Sequence, residues 1–299
     1  MASISPTLAA QRSPIVRKKR PTFSRMLGNG WQYGVALLFA AIFGFPLVWM
    51  VYSSLKSSSE ILRHIWDLPL NPSLQSYQNL FTVAPFGTYY QNSIIMTIVS
   101  VPILTITAAM AAYVFARIKF PLRTPLFYLF LAGTMIPIHV TLIPLYIMMT
   151  RIHLIGTVAA MVMPFVGFSL PVSIFILRGF FENIPIEIEE AARIDGCSTA
   201  RIFFSIALPL ARPALTTVIV LSTVGAWNEY LFAVALVSSG GTSQLTLPLG
   251  ITATTAALGL NKLDLLFAGL TVTALPVLIF YFLAQRTITS SLTAGALKG

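Results

Sequence analysis

The chain has 299 residues, 56% of them hydrophobic and 9% charged, with a mean hydropathy of +0.82. An ordinary soluble domain carries about 25% charged residues, and one soluble core of this size cannot hide so much apolar surface. A soluble enzyme, a disordered protein and a nucleic-acid reader are therefore excluded despite the net charge of +10, and the excess of Lys and Arg points to a membrane.

A spanning helix needs about 20 mostly apolar residues. Six stretches qualify: 31–52, 92–115, 125–149, 157–177, 213–236 and 265–284. None has a Lys or Arg in its interior. In lipid, backbone polar groups must pair within the segment, so helices are expected. A barrel would need alternating polarity, which runs such as Phe39-Ala40-Ala41-Ile42-Phe43 and Val218-Ile219-Val220-Leu221 lack. The fold expected is an all-α integral membrane domain of six helices over 31–285, flanked by tails 1–30 and 286–299.

The basic residues set the orientation. The N-terminal tail holds Arg12, Arg17, Lys18, Lys19, Arg20 and Arg25, and the loop after the second helix Arg117, Lys119 and Arg123. The loop after the fourth helix holds Arg178, Arg193, Arg201 and Arg212, and the end of the chain Arg286 and Lys298. Only Lys56, Arg63, Arg151 and Lys262 fall on the other side. Fifteen against four predicts that both termini are cytoplasmic. Arg17-Lys18-Lys19-Arg20 is read as a topology anchor at anionic lipid, not a nucleic-acid signal. The first helix is expected to be a retained anchor, because its apolar run exceeds a signal-peptide core. Between it and the second helix, Pro69, Pro72 and Pro85 predict a loop with at most short helices.

Composition changes abruptly over 178–212. Five of the nine acidic residues, Glu182, Glu187, Glu189, Glu190 and Asp195, fall within fourteen positions. Asn183 is expected to cap a helix, with Pro185 in its first turn and the acids near its positive end. Glu189 precedes Arg193 by four residues, the favourable order for an ion pair. Gly196 fits the stop, Ser198 caps a second short helix through about 207, Pro209 ends it, and Pro213 opens the fifth span. Ile184, Ile188, Ala191 and Ala192 form an apolar strip at helical spacing. Such a strip suits either the groove of a partner protein or the headgroup region, and the acidic start favours the protein.

Glu190-Ala191-Ala192, then Gly196, then Ile206-x-Leu208-Pro209, resembles the EAA loop of permease subunits of binding-protein-dependent ABC importers. Ala112-Tyr113-Val114-Phe115-Ala116-Arg117 with Phe120-Pro121, Ile143-Pro144-Leu145-Tyr146, Trp227-Asn228-Glu229 and the final Gly295-Ala296-Leu297-Lys298-Gly299 are similar to the carbohydrate-uptake branch, close to the smaller permease of maltose-type importers. The resemblance covers about 46–299. It implies a bacterial inner-membrane permease whose loop 182–212 docks in a cleft on a separate ATPase. It implies a second homologous permease, two ATPase subunits that bind ATP and Mg, a soluble binding protein outside, and an oligosaccharide or related carbohydrate as cargo. In that frame Glu190, Ala191, Ala192, Arg193, Asp195, Gly196, Ile206, Leu208 and Pro209 couple to the ATPase. Gly295 and Lys298 are candidates for a tail contact with it. No G-x-x-x-x-G-K-[ST] phosphate loop occurs, so no cofactor on this chain, no catalytic residue and no ATP hydrolysis of its own are expected. Cys197 and the scattered His64, His139 and His153 predict no metal site.

Polar groups at membrane depth are read as functional by default. Glu229 lies about 15 residues into the fifth stretch, roughly 22 Å from its inner end at 1.5 Å per residue. With Trp227, Asn228 and Asn92 it is a candidate for the sugar pathway. The plainer alternatives are an outer-interface anchor for Trp227 and Glu229 and a helix cap for Asn92. His139, between Pro137 and Pro144, is expected to bond a carbonyl freed by a kink. A self-contained secondary transporter or channel is the alternative function. It would want inverted repeats or buried charge pairs, and neither is evident. An intramembrane enzyme would need a constellation that His139 and Glu229 do not form.

Overall fold

The computed structural model describes residues 23–259 and 262–296. Among these the fold is all-helical. The chain divides into two compact units, one ending at Trp49 and the other starting at Met50. Helix α1, Phe23–Ser53, supplies the first unit's described part; inside it Phe39 and Phe43 stack at 6.1 Å.

The second unit is built from α2 (Ser58–Arg63), α3 (Gln75–Val83), α4 (Phe86–Arg117), α5 (Arg123–Gly133), α6 (Ile138–Arg151) and α7 (Ala159–Glu182). There follow α8 (Ile186–Ile194), α9 (Thr199–Ile202), α10 (Leu208–Leu210), α11 (Arg212–Trp227), α12 (Leu247–Leu258) and α13 (Leu263–Ala296). Among the described residues four helices are long and apolar enough to cross a membrane: Gly30–Ser53, Phe86–Arg117, Ala159–Glu182 and Leu263–Phe282. Two further candidates are bent pairs, α5 with α6 at 95° and Thr199–Leu210 with α11 at 75°.

Two successive hydrophobic cores lie along this unit. Met96, Leu104, Met149, Met161, Trp227 and Leu265 belong to one; Ala109, Tyr113, Phe127, Leu177, Phe203 and Ala214 belong to the other. Their order along each helix gives the path. α4 and α7 both run toward the second core, while α5–α6 and α11 return to the first, from which α13 sets out. The loops after α4 and α7 therefore share one end, called here the basic end, as the Lys and Arg pattern requires. Small residues permit the tightest crossing: Ala108, Ala109 and Ala112 of α4 are all buried.

The sequence is corrected in four places. Stretch 125–149 is not one helix, because Pro137 cannot continue α5 and instead begins α6 in extended conformation. His139 then sits exposed in the first turn of α6, its side chain with no hydrogen bond among the described residues. The fifth helix stops at Trp227 rather than running to 236. α11 alone rises about 24 Å, short of a core about 30 Å thick, and the chain resumes after a break as a π-turn at Ala233–Val237. Helix α12 lies where no element was expected, since twelve residues are too few for a spanning pattern. Finally, α13 continues as a helix through Ala296 where a polar tail was expected; no proline follows Pro276 to stop it. The segment between α1 and α4 holds only α2 and α3, as expected of it, and Pro85 starts α4 six residues earlier than the apolar run.

At the far end, side chains tie the loops to the bundle. Asp264, opening α13, accepts hydrogen bonds from the Ser58 and Ser76 hydroxyls, the latter at 3.4 Å. The buried Lys56 ammonium donates to the His64 carbonyl at 2.8 Å and lies 5.1 Å from the Tyr52 ring centre. α12 rests directly on α4. A Cβ built on Gly250 would lie 2.3 Å from Tyr89 Cδ2, so this crossing accepts no side chain. Gly250→Ala should lower thermal stability by about 1–3 kcal/mol, the usual range for overpacking. Combined with Tyr89→Ala it should lose less than the two single losses added. Unfolding of the purified protein in detergent checks this.

Candidate functional site

The loop 182–212 folds as a helix–turn–helix at the basic end. Its first cap differs from expectation. Asn183 closes α7, its amide donating to Gly179 O at 2.7 Å, and Pro185 is the residue that opens α8. Proline suits that boundary because its fixed φ precedes the first turn and its missing N–H is not needed. The turn after α8 follows the sequence closely. Asp195 is the last capping residue, and Gly196 takes φ +79°. Gly196 N–H donates to Arg193 O at 3.0 Å and Cys197 N–H to Ala192 O at 2.9 Å, the paired bonds of a Schellman end. Ser198 Oγ accepts from Arg201 N–H at 3.3 Å and starts α9.

Pro209 does not stop the second helix. A π-turn, Phe203–Ala207, precedes it, with Leu208 N–H reaching Phe203 O. The wider turn makes room for the proline ring that a regular helix would reject. The chain bends instead at Ala211, between Leu210 and Arg212. Ile206 and Leu208 are half-buried, Leu208 against the second core.

The predicted apolar strip divides between two faces of α8. Ile184, before the helix, and Ala192 turn inward and are buried. Glu187, Glu190, Ala191 and Ile194 share the outward face, with Ile194 86% exposed. Phe204, in the π-turn of the second helix, is also 57% exposed.

The residue that sequence reasoning missed is Glu189. Paired above only with Arg193, it is 0% exposed. Tyr113 Oη donates to its Oε2 at 2.9 Å. Arg117 Nε lies 2.9 Å from its Oε1, an ion pair in which the N–H is not aligned as a hydrogen bond. Arg193 Nη2 is more distant, 4.0 Å from Oε2. Arg117 also donates through Nη2 to the Ile184 carbonyl. Tyr113 itself is wedged between Phe181 and Phe203, at ring distances of 5.6 and 5.1 Å. The available signal was the four-residue spacing of Tyr113 and Arg117, which puts two donors on one face of α4. Removing one member of a buried ion pair typically costs about 3–5 kcal/mol.

A second polar cluster braces the neighbouring turn. Arg123 caps α4 through Nε to Phe115 O at 2.6 Å and Nη2 to Ala116 O at 3.1 Å. Arg178 pairs with Glu182 at 2.8 Å, and its guanidinium stacks 3.8 Å from the Phe127 ring centre.

The other candidates lie toward the far end. Trp227 is buried, its indole N–H donating to Thr273 O at 3.2 Å, and it faces Tyr90 edge-on at 5.7 Å. It lines an apolar cavity of about 250 Å³ with Thr97, Thr223 and Pro276. Asn228 and Glu229 occupy the helix break together. Asn228 is exposed and donates to Val224 O at 2.9 Å; Glu229 Oε1 accepts from Phe232 N–H at 2.8 Å, capping the turn that follows. Asn92 stands apart from them. Its amide donates to Ser243 O and Leu245 O, both at 2.9 Å, while its neighbour Ser93 accepts from Leu247 N–H at 2.8 Å. Asn92 and Ser93 thus hang the start of α12 on α4. Gly295 lies within α13, and Lys298 lies outside the described residues.

The second unit is thus an all-helical bundle with candidate membrane spans and a braced helix–turn–helix at one end. The chain belongs to the binding-protein-dependent transport system inner membrane component family, whose model matches residues 105–293, and it is an inner-membrane protein. It is 42% identical over 270 residues to a putative ABC transporter permease, ORF2, of Caldicellulosiruptor sp. (strain Rt8B.4), covering 90% of this chain and 97% of that one. It is 34% identical over 266 residues to the diacetylchitobiose uptake system permease NgcG of Streptomyces coelicolor, covering 89% and 88%. Among solved structures, a bacterial ABC transporter involved in import of the acidic polysaccharide alginate has the same fold, with TM-score 0.75, 22% identity and coverage of 89% and 98%.

At Gly196 the space beside the residue is open, with nothing within 4 Å of a built Cβ. Only the left-handed backbone resists substitution, by about 1–2 kcal/mol for an ordinary residue. Gly196→Val should speed tryptic cleavage at Arg193 and Arg201, whereas Gly196→Asn, which tolerates this conformation, should be cut at the original rate.

Proposed function

We propose that this chain is the membrane-spanning permease of a carbohydrate importer, with both termini in the cytoplasm. It forms the translocation pathway with a second, homologous permease. Two separate ATPase subunits bind ATP and Mg, and a soluble binding protein delivers the solute. The observation that carries this reading is the outward face of α8, where Ile194 projects 86% exposed beside Glu190 and Ala191 on a helix whose opposite face is locked into the bundle. With Ile188 of the same short helix also 41% exposed, a braced helix carries bare apolar side chains beside charge, which suits the groove of a partner.

In this reading Glu187, Glu190 and Arg193 supply charge around the apolar contact of Ala191 and Ile194. Ala192 keeps α8 close to its own bundle, and Asp195 with Gly196 shapes the turn. Ile206, Leu208 and Pro209 set the angle at which the loop joins α11. Gly295 and Lys298 are further contacts with the ATPase pair. The cargo is a glycoside of the oligosaccharide class, as the name of the diacetylchitobiose relative suggests. Asn228 and Glu229 are its contacts on this chain, because the broken helix brings hydrogen-bonding groups to a single point; Trp227 shapes the adjoining wall, and Asn92, apart from them, holds the backbone at 243 and 245.

The test is cross-linking in native membranes. With Cys197 replaced by Ser, Ile194→Cys should be captured by a short thiol cross-linker on a nucleotide-binding subunit, and Thr252→Cys at the far end should not. Absence of any such adduct from Ile194→Cys contradicts the docking role.

A further inference from the structure

Two motifs singled out in the sequence, the Tyr113–Arg117 stretch and the loop around Glu190, meet at one carboxylate. We propose that Glu189 is a positioning residue that makes α8 and α4 a single moving part, so that a load on the loop is delivered along α4 to the start of α12. This rests on the reading that α8 docks on an ATPase subunit.

α8 has nine residues, too few to hold a helix by itself. Its apolar grip on the bundle is small, Ala192 with Ile184 just before it. Orientation must come from the polar grip. Tyr113 and Arg117, one turn apart, hold the two Glu189 oxygens, each at 2.9 Å. Arg117 reaches past them to the Ile184 carbonyl and so fixes the linker from α7 as well.

Stability alone does not call for a charge here, since packed apolar residues replace buried ion pairs at little loss. What the carboxylate adds is direction. An apolar contact lets a short helix roll or slide, whereas two oxygens held from one side define its angle. The same α4, 32 residues long, carries Asn92 and Ser93 near its other end, and these hold the backbone at 243, 245 and 247. Gly250 then packs flush on Tyr89. A tilt of α8 transmitted by the clamp therefore has a route to α12 along one helix, whose backbone bonding lapses within the span at Pro102.

The test uses the whole complex, with its ATPase subunits co-expressed, in lipid vesicles. Cys197 is replaced by Ser, and Ala253→Cys on the exposed face of α12 serves as the probe. The readout is its labelling rate by a water-soluble maleimide, with and without Mg-ATP and vanadate. In the parent the trapped nucleotide should change the rate about fivefold or more, the lower end of typical coupling between sites. E189Q should abolish that response while ATPase co-purification and ATP hydrolysis persist, and Y113F should reduce it. A response in E189Q equal to the parent's overturns the proposal. Should E189Q fail to assemble, Y113F decides by the same readout; if neither variant assembles, the clamp is a folding element and the proposal is wrong. An unresponsive parent in which the Ile194 cross-link still forms refutes transmission through α4. A parent lacking the cross-link instead refutes the docking reading beneath it.

Discussion

A carboxylate with no access to water organises the basic end of this protein. Burying Glu189 is unfavourable by several kcal/mol unless its charge is met, and the structure meets it from α4 through Tyr113 and Arg117. That requirement fixes where α4 must end, which way α8 must face, and which residues of the loop remain outside. Ile194 and Glu190 are presented outward because Glu189 is held inward. The aromatic packing of Tyr113 with Phe181 and Phe203 then joins α4 to the end of α7 and to the second helix of the loop.

The far end is arranged by a different rule. There, backbone carbonyls and amides left over at broken helices are taken up by side chains: Asn92 and Ser93 for 243–247, Glu229 for the Phe232 N–H, and the Ser58 hydroxyl for the Asp264 N–H. Such breaks are tolerated at membrane depth only where protein or a water-filled cavity satisfies the freed groups. The two ends are joined by α4, which belongs to both cores.

Much of this was legible in the residues. Apolar length located α1, α4, α7 and α13, with one end of each within two residues and the other five to twelve residues short, since hydropathy marks the part of a helix that lies in the bilayer and not its polar extensions. Punctuation in the loop was equally clear: Gly196 and Ser198 do what their chemistry dictates, because left-handed turns and helix caps are local. The failures were of other kinds. Pro137 and the 228–230 break split helices that hydropathy sees as continuous, since an average over 20 residues cannot register a bend. Pro209 was misread because a π-turn accommodated it. α12 was too short to register. Glu189 went unrecognised because its partner, α4, is more than seventy residues away in sequence, and only the fold brings them together. Helical spacing gave the strip Ile184–Ile188–Ala191–Ala192, but not which part of it faced home.

The central claim is mechanical: α8 and the end of α4 do not move relative to each other. Spin labels on Glu187→Cys and Met110→Cys, both exposed positions, measure this directly in the assembled complex by pulsed electron paramagnetic resonance. The account predicts one narrow distance distribution, the same in the resting state and with trapped Mg-ATP and vanadate. A distribution that shifts or splits when nucleotide is trapped would contradict it.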